Sequence, residues 1–192
     1  MVGILLAAGF SLRFGSTNKL LQCLPDGRPI ALASAESLIK AIPVSIAVLR
    51  PKNKDLTELL INAGLNIVFC TEDNQEMADS LATGIRFSVN FEAANDGFVI
   101  ALADMPYIQT ETIVAVANKV ADGASIVIPT YQNQRGHPVG FSAKFRSELE
   151  NLQGDEGARS IIKRYTDELL LLPTDDAGIL VDIDTPNDLS AY

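Results

Sequence analysis

Two long cations stand among small polar residues near the start of the chain. The stretch "LLAAGFSLRFGSTNK" (5–19) begins as the end of an apolar strand and breaks into a loop carrying Gly9, Ser11, Arg13, Gly15, Ser16, Thr17, Asn18 and Lys19. Glycines let a backbone approach a ligand closely, and successive N–H groups form anion-binding nests. Arg13 offers a planar fork for two phosphate oxygens, and Lys19 a mobile point charge. This combination predicts a phosphate site. Neither standard glycine motif explains it. The dinucleotide pattern needs a third-position glycine where Ser11 stands. The P-loop pattern fails because five residues separate Gly9 from Gly15 and Lys19 lies four beyond Gly15.

Carboxylates supply the second half of such a site. Asp104 directly follows the apolar run "GFVIALA" (97–103). Ligands of open parallel sheets bind outside the carboxyl ends of strands, and a carboxylate there suits Mg²⁺ accompanied by substrate phosphates. "VDIDTP" (181–186) adds Asp182 and Asp184. In a strand that spacing places both on one face, with Val181 and Ile183 toward the core, and the two repel unless a cation lies between them. Asp184 or Thr185 can alternatively cap a helix starting at Pro186. Ser80 and Gly84 share a helix face, where they either admit a flat base or pack the helix closely. His137 is the only histidine. A lone histidine reads as a general base, a ligand or a core residue. Asp155 and Arg159 also have the spacing of a helical ion pair.

"LAAGFSLRFG" followed by lysine resembles the opening of the sugar-nucleotide-type nucleotidyltransferases, and most closely the molybdenum cofactor cytidylyltransferase (MobA/MocA-like) group. "MADSLATG" (77–84), "LADMP" (102–106), "RGHPVGFS" (135–142), "GDEGAR" (154–159) and "VDIDTPNDL" (181–189) extend the resemblance over almost the whole chain. The sequence departs from the pattern in two places. Three residues, not two, separate Gly15 from Lys19, and Glu76 stands where a glycine commonly precedes the methionine. The resemblance implies Mg²⁺-dependent transfer of CMP from CTP to the phosphate of a molybdopterin-type acceptor, with release of pyrophosphate and a molybdoenzyme as eventual recipient. It implies catalytic roles for Arg13, Lys19 and Asp104. Nucleotide contacts would come from Leu6, Ala7, Ala8, Gly9, Arg13, Lys19, Ser80 and Gly84. Acceptor contacts would come from Arg135, His137 and Arg159, and metal contacts from Asp104 with Asp182 or Asp184. Ala8 in "LAAG", where guanylyltransferases carry glycine, points to cytosine. The same chemistry on a sugar or polyol phosphate, or a catalytically silent nucleotide-binding chaperone, are the competing readings.

These residues must be held by elements that alternate. Apolar runs at 2–7, 44–49, 66–70, 97–103 and 125–129 read as strands. Helix-period segments at 30–42, 55–63, 77–89 and 110–121 separate them, the last with Thr110 as N-cap. Strands apolar throughout imply a parallel sheet covered on both faces. The last third is less regular, with strands at 137–142 and 169–172 and a helix at 158–165. The expected fold is α/β: a three-layer α/β/α sandwich with a mostly parallel, Rossmann-like sheet, formed as one domain over 1–192.

Composition narrows the class. The 192 residues are 47% hydrophobic, enough for a core without disulfide or metal. A net charge of −9 is opposite to that of a nucleic-acid binder. Cys23 and Cys70 lack C-x-x-C partners and read as reduced, partly buried thiols. No apolar stretch approaches the ~20 residues needed to span a bilayer, and the N-terminus has no basic n-region, so a cytoplasmic protein is expected.

Overall fold

The computed structural model describes residues 1–9, 18–71, 77–154 and 156–190. Arg13 and the rest of the loop at 10–17 lie outside the described residues, as do Glu76 and Asp155. The first half of the chain alternates strictly: β1 (Val2–Leu6), α1 (Ile30–Ala41), β2 (Ser45–Leu49), α2 (Lys54–Asn62), β3 (Asn66–Phe69), α3 (Met77–Phe87) and β4 (Phe98–Leu102). The four strands pair in parallel, with Ile4 opposite Ile46 in β2 and Ile100 in β4. α4 (Thr110–Ala121) leads to β5 (Ile126–Tyr131), β6 (Gln134–Arg135) and β7 (Val139–Phe141). α5 (Arg146–Glu150), α6 (Arg159–Arg164) and β8 (Leu169–Pro173) complete the larger elements.

The strand order is β3-β2-β1-β4-β7-β5-β6, with β8 added to β5 in parallel. β7 sits between β4 and β5 and runs antiparallel to both. The result is a mostly parallel mixed sheet of eight strands with helices on both faces, as the strand and helix periods predict.

Strand alternation sorts the core into two layers. Val2 and Ile4 of β1, Ile46 and Val48 of β2, and Phe98 and Ile100 of β4 join Ala78, Leu81 and Ile85 of α3. Their neighbours Leu5, Ala47, Leu49, Val99 and Ala101 join Leu38 of α1, Leu56 of α2 and Val116 of α4. Successive side chains of a strand point to opposite faces, so a continuous apolar run serves both layers.

The chain walks outward from β1 to β3 and then returns across β1 to place β4 on its other side. That reversal is the topological switch point, where the two carboxyl ends leave a crevice. It lies between the end of β1 and the end of β4.

Three local expectations differ. Residues 181–184 form no strand, because Ile183 N donates to Asp104 O at 2.9 Å and is spent on a loop instead of a ladder. Gln109, not Thr110, is the N-cap residue of α4. Cys23 is exposed, while Cys70 is buried with its Sγ donating to Leu49 O.

Candidate functional site

The site grows from the two strand ends at the switch point. Ala103 N donates to Leu6 O at 3.1 Å and Ala7 N to Val48 O at 3.0 Å, so the exit from β1 is held on both sides. Arg50, just beyond β2, donates from Nε to Ala8 O at 2.7 Å. At Gly9 a Cβ would meet nothing within 4 Å among the described residues.

The chain is described again from Asn18. Asn18 Oδ1 accepts from Leu20 N at 3.0 Å and caps the 3-10 turn Lys19–Leu21. Leu20 is buried in the α1 layer and fixes that turn to the core. Lys19 therefore stands on a capped, anchored base. Its Nζ donates to Asp104 Oδ2 at 2.9 Å and to Asp184 Oδ1 at 3.1 Å. Those two carboxylate oxygens consequently lie no more than 6.0 Å apart. The Lys19 side chain is only 12% exposed, against 26% for Asp104 and 42% for Asp184. Burial acts to lower its pKa. The hydrogen bonds and charges of Asp104 and Asp184 outweigh that and hold it above the ordinary lysine value. A charged ammonium is thus fixed at the crevice.

Each carboxylate has its own support. Asp104 lies in the turn after β4. Ile183, fully buried, anchors the segment bearing Asp184. Asp188 Oδ2 accepts from Asp184 N, Thr185 N and Thr185 Oγ1 at 2.9, 2.7 and 3.0 Å. The 3-10 turn Pro186–Ser190 begins directly after Thr185, and Asp188 within it ties back the two residues that precede the turn. Of the aspartate pair, the structure brings Asp184 to Asp104 and leaves Asp182 exposed.

His137 is largely buried; among the described residues its Nδ1 has no hydrogen-bond partner, and its backbone N donates to Ile179 O at 3.0 Å. Burial pushes its pKa down to about 4. The Arg159 guanidinium lowers it further and the Asp104 carboxylate opposes both. The imidazole is therefore neutral at physiological pH, and it feels both Asp104 and Arg159. Arg159 is exposed at the start of α6, and Arg135 is exposed on β6.

Ser80 and Gly84 are buried on α3. A Cβ on Gly84 would sit 2.7 Å from Val48 Cγ2 and 3.1 Å from Ile4 Cγ2. Close helix–sheet packing by itself accounts for glycine there. Ala8 is 4% exposed, and its methyl belongs to the layer beneath α3.

Among the described residues no three His, Cys, Asp or Glu side chains group as a metal cage. Two carboxylates facing one cation position still suit a hard divalent ion, which takes one or two carboxylates and completes its shell with water and substrate phosphates. Asp104 and Asp184 would hold such an ion, and Lys19 would neutralise phosphate beside it.

Arg50 lies outside every motif quoted above, and Asp188 lies within "VDIDTPNDL" with no role assigned to it. Arg50 had a signal: a cation directly after the apolar run "SIAVL", as Asp104 follows β4. Asp188 had only the turn residues around it.

The family model described as MobA-like NTP transferase domain matches residues 3–169. Purine catabolism protein PucB of Bacillus subtilis (strain 168) is 27% identical over 196 residues, covering 98% of this chain and 93% of that protein. The crystal structure of the Mycobacterium tuberculosis Rv0371c homolog from Mycobacterium sp. strain JC1 superposes with a TM-score of 0.84 at 26% identity, covering 99% and 93% of the two chains. Molybdopterin-guanine dinucleotide biosynthesis protein A from Archaeoglobus fulgidus shares the fold, with a TM-score of 0.68 at 19% identity over 100% of this chain and 96% of that one.

Proposed function

The chain belongs to the MobA-like NTP transferase domain family, and from that premise we propose that it transfers CMP from CTP to the phosphate of a molybdopterin-type acceptor. An oxygen of the acceptor phosphate attacks the α-phosphorus of CTP, the bond from that phosphorus to the bridging oxygen breaks, and pyrophosphate leaves. Nucleotidyltransferases of this family use divalent metals; the ion proposed here is Mg²⁺, which would supply charge neutralisation to the triphosphate.

One observation carries the reading: Lys19 Nζ lies between Asp104 and Asp184 at the switch point of the sheet. The chain's own residues do the positioning. Lys19 remains protonated and faces charge that grows on the leaving pyrophosphate, so it stabilises the transition state more than the ground state. Arg13 is proposed to grip the same triphosphate. Neutral His137, beside Arg159, is proposed to contact the acceptor, with Arg135 at the rim. No proton need be removed, because the acceptor oxygen is already anionic. Catalysis is then mostly orientation and electrostatics. The L-A-A-G opening supports cytosine, and a compartment with reduced thiols and soluble nucleotides, the cytoplasm, fits the substrate. No described helix is long and apolar enough to cross a membrane.

The test is pyrophosphate release from each of the four NTPs with Mg²⁺ and either a molybdopterin-type or a sugar phosphate acceptor. The expected result is turnover with CTP and the pterin acceptor at least tenfold above GTP, abolished in a folded Asp104→Asn variant. Turnover only with a sugar phosphate would move the acceptor. Nucleotide binding with no pyrophosphate from any combination would leave a binding protein.

A further inference from the structure

Asp176 is a buried carboxylate that the proposed reaction does not use. It is 2% exposed, and both oxygens are occupied. Oδ2 accepts from Gln109 N at 2.9 Å and from Thr112 Oγ1 at 2.7 Å, and Oδ1 accepts from Gly178 N at 2.9 Å. Among the described residues no cation pairs with it. Its two oxygens are satisfied by oriented hydrogen-bond donors.

The donors come from two segments that matter. Gln109 closes the loop that starts at Asp104 and enters α4. Gly178 belongs to the 3-10 turn Ala177–Leu180, which leads to Ile183 and Asp184. The two segments touch directly: a Cβ on Gly178 would lie 2.1 Å from Tyr107 O. Farther along, Ile183 N donates to Asp104 O at 2.9 Å. The Asp104 loop and the Asp184 segment are therefore joined at two points, by the Ile183–Asp104 bond beside the site and by Asp176 at the other end. The Gly178 bond is local and caps the turn that Asp176 precedes; the Gln109 and Thr112 bonds reach across to the loop that starts at Asp104 and to α4.

We propose that Asp176 is a positioning residue, clamping the Asp184 segment to the Asp104 loop so that the two carboxylates keep the separation a divalent ion requires. The inference rests on the reading of Asp104 and Asp184 as metal contacts. Mg²⁺ demands near-ideal geometry at 2.0–2.1 Å, so slippage of one segment by about an ångström removes a ligand.

Asp176→Asn keeps the shape but puts an NH₂ where an acceptor stood, against Gly178 N on one side or against Gln109 N and Thr112 Oγ1 on the other, and so loosens the clamp. Mn²⁺ is titrated into wild type, Asp104→Asn, Asp176→Asn and Ser45→Ala, with the free Mn²⁺ signal read by electron paramagnetic resonance. Ser45 is buried at the amino end of β2, with its Oγ donating to Ile42 O at 2.7 Å. Its variant loses stability away from the site. Asp176→Asn should bind Mn²⁺ at least tenfold more weakly while folded, and Ser45→Ala as wild type does. Wild-type affinity in folded Asp176→Asn overturns the clamp alone. Wild type that binds no Mn²⁺, or binds it equally after Asp104→Asn, overturns the metal reading and the clamp with it. If Asp176→Asn does not fold, Thr112→Val removes a single bond of the clamp at constant shape. A loss of at least threefold supports the proposal, and unchanged affinity overturns it.

Discussion

At the residue scale, the two carboxylates and one ammonium form one charge arrangement. Lys19 neutralises Asp104 and Asp184 and, under the proposed function, meets phosphate. Lys19→Met should lower kcat/KM at least tenfold, ~1.4 kcal/mol or more of transition-state stabilisation; steady-state pyrophosphate release at varied nucleotide checks it. His137 titrates in the opposite sense. Its pKa is depressed from 6.5 to about 4 by burial and by Arg159. The unfolded chain therefore binds a proton first as pH falls. The stability contributed by the neutral imidazole is complete above pH 6.5 and is lost between 6.5 and about 4, amounting to about 3 kcal/mol. Urea unfolding of wild type and His137→Gln across that range should show the extra slope only in wild type. Lys19, Asp104 and His137 were all legible as residues with chemistry. Asp176 was not, because nothing local distinguishes a buried clamp from an ordinary turn aspartate.

At the element scale, α3 shows how one spacing serves two purposes. The Ser80 and Gly84 face, read from the sequence as base pocket or as packing, lies against β1 and β2 at Gly84. Gly84→Ala should cost about 1–3 kcal/mol through overpacking against Val48 and Ile4, even though alanine favours a helix. The measurement is thermal unfolding with parallel nucleotide calorimetry. A lower melting temperature with unchanged affinity identifies packing, and an affinity loss with unchanged stability identifies a base contact. The helix predicted at 110–121 forms over that span, but its start is held by Asp176 from a distant turn, not by Thr110.

At the scale of the whole molecule, the reversal of strand order makes the site. β1 and β4 are far apart in sequence and adjacent in the sheet, and their carboxyl ends bring the chain at Ala7–Gly9 and Asp104 to one crevice. A ligand bound there stabilises the whole fold by mass action. MgCTP at a hundred times its dissociation constant should add ~2.7 kcal/mol, raising the melting temperature by about 5–10 °C for a domain of this size. Asp104→Asn should lose the Mg²⁺-dependent part of that shift in a thermal scan.

The sequence by itself determined the alternation of strands and helices, the layers they build, and the placing of Lys19 and Asp104 at element ends. All of these rest on local periodicity: apolar runs of period 2 or 3.6 and punctuation at their ends. Tertiary structure alone decided the insertion of β7 between β4 and β5, the choice of Asp184 over Asp182 beside Asp104, and the clamp at Asp176. Lys19 and Asp184 lie 165 positions apart, and Asp176 reaches back 67 to Gln109. A contact over such separations leaves no local pattern, because its partner is fixed by how the sheet folds back on itself and not by any neighbour in the chain.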